Sequence, residues 1–289
     1  MELLIPESMT RIKKAVLNFF PSRLSLSAFI FLFGIFFLSV FIPFLSPYHE
    51  DIAGAAHFEI AGQAPSLSHW FGTDTSGRDV FTITIRAALS SFKIAFGVVF
   101  FSVLVGVPIG MVSGLASKRT DEIIMRITDG FLAFPPLILP LAVTAILGPS
   151  LNNVVLGISI SWFPWYVRIA RSQSLIISSL DYVSISKSMG ANKFHIIKYH
   201  ILPNSLSPIL TQASIDAGYA ILASAGLSFI GLGAQYPDVE WGLLITQSRA
   251  QFLNHWWEVF FPGIFICLTV ASFNVLGDEI RNNNKKNNE

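Results

Sequence analysis

The segment SFKIAFGVVFFSVLVGVPIGMVSGL, residues 91–115, holds one charged residue, Lys93, among 25. A helix of about 20 apolar residues crosses the hydrocarbon core of a bilayer. A helix also satisfies its own backbone polar groups in lipid, so such a run reads as a membrane span. Gly106 and Pro108 inside it are ordinary for membrane helices, as are Pro135, Pro136 and Pro164 in later runs. Working outward, five more apolar runs cover 24–45, 123–147, 153–169, 207–232 and 259–277, which makes six. The composition agrees. Hydrophobic residues make up 52% and charged residues 13%, about half the charged share of a soluble domain. Mean hydropathy is +0.59. The expected fold class is an all-α polytopic membrane protein. The single cysteine, Cys267, lies in an apolar run; it excludes an intrachain disulfide and a cysteine-rich metal site and reads as a small apolar filler. The run 24–45 ends FIPFLSPY, without a small-residue cleavage pattern, and so reads as a retained span, not a secretory signal.

Positive charge sets the orientation. With the N-terminus cytoplasmic, 15 of the 19 Lys and Arg residues fall on that side or at its edge. Arg78, Arg86, Lys93 and Arg249 are the four outside or near that edge. Both termini are therefore expected inside. The organisation is a cytoplasmic segment 1–23, a membrane domain 24–280 with an external segment 46–90 and a cytoplasmic loop 170–206, and a polar tail 281–289. A second stretch, about 234–258, also faces out.

Within that cytoplasmic loop, DYVSISKSMGANKFHIIKYHILPN (residues 181–204) is too polar to cross a membrane. Past Gly190 the spacing of Phe194, Ile197 and Ile201 puts them on one helical face, with Lys193 and Lys198 off it. Pro203 is expected to end the run. The helix either lies on the bilayer surface or docks on a soluble partner.

The stretch resembles the cytoplasmic loop of bacterial ABC-importer permeases. In that pattern a glycine is followed nine residues later by a group closing in Leu-Pro. Here Gly190 is followed by nine residues and then His200, Ile201, Leu202 and Pro203. Ser184, Ile185 and Ser186 replace the family's Glu-Ala-Ala. Other motifs are similar to the "C"-type permeases of dipeptide, oligopeptide and nickel importers, in order: FGTDTSGRDVF (71–81), DGFLAFPPLIL (129–139), LSFIGLG (227–233), EWG (240–242), WW then FPG (256–263) and FNVLGDEIR (273–281). Ala87, Leu89 and Ser224 depart from the usual residues. The resemblance implies the transmembrane domain of a type I ABC importer in the bacterial cytoplasmic membrane. It further implies a second homologous permease, two cytoplasmic ATPase subunits and an extracellular or periplasmic solute-binding protein. The coupling helix would contact an ATPase through Gly190, Ala191, Lys193, Phe194, Ile197, Lys198, Leu202 and Pro203. The cargo would be short peptides, nickel or a chelated metal.

The chain itself has no Gly-Lys pair and so no phosphate-binding loop. No cofactor is expected in this chain; ATP and Mg would sit on the partner subunits. An ion-coupled secondary transporter is the alternative, but such proteins usually show internal repeats, and none is visible. An intramembrane enzyme would need a motif such as His-Glu-x-x-His or Gly-x-Ser-x-Gly, which is absent.

Two further groups carry candidate roles. Asp74, Arg78 and Asp79 form either an internally paired turn or a contact with the external binding protein. Gln212, Asp216 and Tyr219 share one stripe of the fifth span. An ionisable residue there either lines a translocation path or belongs to an interhelical hydrogen-bond cluster. Asp129 is expected to pair with nearby Arg126. His195 and His200 are five apart, about 140° around a helix, so no helical two-histidine metal site is expected.

Overall fold

A computed structural model describes residues 22–286. The segment 1–21, with Arg11, Lys13 and Lys14, lies outside them. The elements are helices and turns, joined by one isolated bridge between Thr73 and Asp79. Helix α1 is Arg23–Leu45 and α2 is Val80–Gly114. Then come α3 (Lys118–Leu132), α4 (Ile138–Leu147) and α5 (Leu151–Ser178). The connection that follows holds α6 (Asp181–Ser188) and α7 (Lys193–Ile196), the latter running through a π turn, Ile197–Ile201, into α8 (Leu202–Phe229). Short α9 (Trp241–Ser248) and long α10 (Trp257–Lys286) complete the chain.

Three helices are long and apolar enough to cross a membrane by composition alone: α1, α2 and α10. Helices α5 and α8 have 28 residues each, about 42 Å at the α-helical rise, ample for a crossing. Their polar residues, such as Arg168, Arg171 and Asp216, lower their hydropathy.

The expected third span, 123–147, is not one helix. It breaks between α3 and α4, where Pro135 and Pro136 remove two backbone donors and push the preceding residue out of the helical region. Together the two halves still make one crossing. Helices α2 and α5 pack side by side in the same direction: Gly106 meets Phe163 and Tyr166, Gly110 meets Ala170, and Gly114 meets Ser174. The chain between two parallel helices must return across the bilayer, and α3–α4 is that return. With α1, α8 and α10 the crossings number six.

Helix α10 continues into the polar tail, through 281–286.

Glycines set the closest contact. On α2, Gly106, Gly110 and Gly114 recur every four residues and let its backbone approach α5. A Cβ on Gly106 would stand 2.5 Å from the Phe163 carbonyl oxygen and 2.7 Å from Tyr166 Cβ. Helices α8 and α10 pack antiparallel, tied by the Ser214 hydroxyl donating to the Phe273 carbonyl at 2.6 Å. The buried apolar residues form three clusters. One of them, with Met111, Tyr166 and Ala170, extends to Ile196 and Ile201 of the connection between α5 and α8. The 46–79 segment sits at the other end of α2.

Candidate functional site

The loop between α5 and α8 is built as an elbow. Helix α6 ends in a Schellman motif: Gly190 N–H donates to Lys187 O at 3.0 Å and Ala191 N–H donates to Ser186 O at 3.1 Å. Gly190 has φ of +93°, a left-handed conformation that favours glycine. Asn192 then caps α7, accepting from His195 N–H at 2.8 Å.

The expected apolar face is differently composed. Ile196 and Ile201 are the buried anchors, Ile197 is half-buried, and Phe194 points outward at 73% exposure. The reason is the π turn, which inserts an extra residue per turn and aligns positions five apart. Pro203 does not end the run. It occupies the first turn of α8, where its missing N–H is tolerated, and its ring would crowd the carbonyl four residues back in a regular helix. That crowding accounts for the π turn just before it.

The elbow leaves an apolar surface open. Ile185, Met189 and Phe194 are exposed, Met189 by 83%. Lys193, Lys198, Leu202 and Pro203 are exposed around it, with Ala191 half-buried. Exposed large apolar side chains grouped on one loop make it a candidate interaction surface. His200 faces Ser186 at 3.2 Å, so the residue standing in the family's Glu-Ala-Ala place makes an internal contact.

Behind the elbow, Arg171 of α5 makes a two-pronged pair with Asp121 of α3, both contacts at 2.6 Å. The guanidinium holds the Asp121 carboxyl below the usual carboxylate range, against the opposing effect of burial and with help from the Ser113 hydroxyl. Asp129 pairs with Arg168 at 2.7 Å rather than with Arg126, because α3 lays that face against α5.

At the opposite end, Asp74, Arg78 and Asp79 are internal. Asp74 receives Arg78 Nε and Nη2, each at 2.6 Å, and the backbone N–H groups of Ser76 and Arg78. Asp79 caps α2, accepting from Thr82 N–H at 2.8 Å, and faces buried His69 at 2.9 Å. Arg78 also donates to the Tyr236 hydroxyl. Of the two sequence readings, the geometry matches the paired turn. Sequence reasoning noted Glu240 only within the EWG motif and missed its role: it is fully buried and caps α9. It accepts from Ser228 Oγ at 2.6 Å and from the N–H groups of Gly242 and Leu243. The signal was there: an acidic residue immediately before Trp-Gly at a helix start.

In the interior, the stripe Gln212, Asp216, Tyr219 runs along the border between the packed and open sides of α8. Asp216 is buried and accepts from Gln212 Nε2 at 2.9 Å. The Tyr166 hydroxyl of α5 lies against the same carboxyl without good hydrogen-bond geometry. Tyr219 is exposed. Gln212 and Asp216 thus meet, and Tyr219 stands apart from them.

Six crossings, with a glycine-bent elbow between the fourth and fifth, define a polytopic membrane protein that exposes apolar side chains on one connecting loop. The chain belongs to the family described as binding-protein-dependent transport system inner membrane component, which matches residues 106–284. It is 40% identical over 278 residues to the probable D,D-dipeptide transport system permease protein DdpC of Escherichia coli strain K12, covering 96% of this chain and 92% of that one. It is 42% identical to the dipeptide transport system permease protein DppC of Alkalihalophilus pseudofirmus, over 76% of this chain and 72% of the relative. The glutathione transport system permease protein GsiD of Pectobacterium atrosepticum is 34% identical, with 91% and 87% covered. An inward-facing structure of the MetNI methionine ABC transporter shares the fold, with a TM-score of 0.59 at 19% identity over 70% of this chain and 96% of that one. The protein is therefore an inner-membrane, multi-pass transport component.

Proposed function

We propose that this chain is the permease subunit of an ATP-driven importer of short peptides. It works beside a second homologous permease, two cytoplasmic ATPase subunits that bind ATP and Mg, and a solute-binding protein outside. The chain has no catalytic step of its own. The elbow and both termini face the cytoplasm, in keeping with the Lys and Arg distribution.

The observation that carries this reading is the exposure of Ile185, Met189 and Phe194 on a glycine-bent elbow. In this reading Phe194 and Met189 enter a cleft on one ATPase, and Lys193 and Lys198 meet its rim. Ile196 and Ile201 carry the push into the cluster that holds α2, α5 and α8. Tyr219 lines the passage, and Gln212 and Asp216 brace the helix behind it. Short peptides are favoured over nickel or a chelated metal by the dipeptide and glutathione names of the relatives.

The test is uptake by cells with and without the gene, offered a labelled dipeptide and, separately, radioactive nickel with and without a chelator. Loss of dipeptide uptake alone supports the reading. Loss of nickel uptake alone replaces the cargo. Unchanged uptake of both removes it.

A further inference from the structure

A cavity of about 200 Å³ opens where the outer end of α2 meets the loop 236–239. Its walls include Arg86, Ser90 and Lys93 of α2, Asp51, Tyr236 and Asp238. Arg86 and Lys93 are seven residues apart, two helical turns, so they share one face about 10 Å apart along the axis. From Ile94 to Gly114 the helix rises about 31 Å, the thickness of the hydrocarbon core. Lys93 therefore stands at the membrane's outer edge, and Arg86 stands beyond it.

These charges are not used up by the fold. Among the described residues neither Arg86 nor Lys93 has an ion-pair partner, and Arg86 makes one bond, to the Ser39 carbonyl at 3.1 Å. Asp51 is occupied by His57 and by the Asp79 N–H. Asp238 is exposed and also lacks an ion-pair partner among the described residues. The cavity thus presents two free cations on the helix wall and one free carboxylate on the loop wall. Unpaired charges converging on a concave site supply the few polar contacts that orient a ligand. The volume, below the roughly 300–1,000 Å³ of drug-sized sites, suits a small zwitterion.

We propose that this cavity binds a dipeptide through its free termini: the carboxylate at Arg86 and Lys93, the ammonium at Asp238. The proposal rests on the peptide-cargo reading above and adds a site within the permease itself. It makes the chain a second checkpoint for free termini, after the external protein has released its cargo.

The experiment is equilibrium binding of radiolabelled alanyl-alanine to the assembled importer, without its solute-binding protein, in phosphatidylcholine nanodiscs. The N-acetylated and C-amidated forms are measured beside it. Each blocked form is expected to bind about tenfold more weakly, the scale of one lost charge-assisted hydrogen bond. Arg86→Gln and Lys93→Met abolish the preference for the free carboxylate, Asp238→Asn abolishes that for the free ammonium, and Lys93→Arg retains it. Equal binding of all three forms overturns the proposal, as does an unchanged preference in the variants. Displacement of the dipeptide by phosphatidylglycerol also overturns it, because the cations then serve lipid phosphates. Cellular dipeptide uptake separates the two readings. Uptake without a binding preference sinks the cavity alone, whereas no uptake in wild-type cells removes the peptide reading and the cavity's ligand with it.

Discussion

Replacing Gly106 with alanine tests whether the α2–α5 seam holds the membrane domain together. The added Cβ would lie 2.5 Å from the Phe163 carbonyl oxygen, 2.7 Å from Tyr166 Cβ and 3.2 Å from the Val167 nitrogen. Ordinary contact begins at 3.4 Å, so the two helices must part by 0.9 Å at this point, the difference between 3.4 and 2.5. Two of these obstacles are backbone, which cannot swing aside. A gap of that size forfeits a quarter to a half of each dispersion contact along the seam. It also stretches the Ser174 hydroxyl's bond to the Met111 carbonyl, now 3.1 Å. Overpacking of this kind costs about 2–3 kcal/mol. At about 2 °C per kcal/mol for a chain of this size, the melting temperature falls by about 5 °C. The control is Gly34→Ala on α1, where a new Cβ meets nothing within 4 Å. Alanine is the better helix former, so that variant gains about 0.5–1 kcal/mol. The assay is tryptophan-fluorescence melting of the purified protein in detergent. If Gly106→Ala melts within about 1 °C of Gly34→Ala, the close approach of α2 and α5 does not set stability and the reasoning fails.

Three further outcomes are expected. Asp79→Ala removes the cap of α2 and leaves buried His69 without its carboxylate; the loss is about 2–4 kcal/mol, read as faster proteolysis in the 46–79 segment. Asp121→Asn weakens the pair with Arg171 by about 1.5–3 kcal/mol. Because the folded carboxyl is held below its ordinary value, its stabilisation is complete above about pH 4 and is lost as pH falls through the lowered value. The wild-type melting advantage over this variant is therefore flat from about pH 5 to 8 and shrinks below about pH 4; an advantage that grows in acid contradicts the assignment. Gly190→Val forces a branched residue into a left-handed backbone, at a cost of about 1–2 kcal/mol. It should abolish ATP-driven dipeptide uptake while membrane levels of the protein, checked by immunoblot, stay normal; full uptake would end the coupling role of the elbow.

The sequence by itself determined the membrane class, the six crossings and the place of the elbow. Those properties are local: an apolar run of sufficient length, a Lys/Arg imbalance, and a glycine at a fixed distance from Leu-Pro. The Gly106, Gly110, Gly114 repeat is also present in the sequence, where Gly106 reads as an ordinary membrane glycine, since a repeat of small residues does not name the helix it meets. Tertiary structure alone decided the rest. It broke the third crossing at Pro135 and Pro136, where a hydropathy window sees one apolar run because proline is apolar enough to pass. It turned Ile196 inward and Phe194 outward, since a π turn changes the period that any face assignment assumes. It gave Asp129 to Arg168, 39 residues away, over nearby Arg126. It also placed Arg86 and Lys93 opposite Asp238, about 150 residues later in the chain, around one cavity. Spacing along a chain fixes which residues share a helix face. Which side chain waits across the gap is fixed only when the helices have packed.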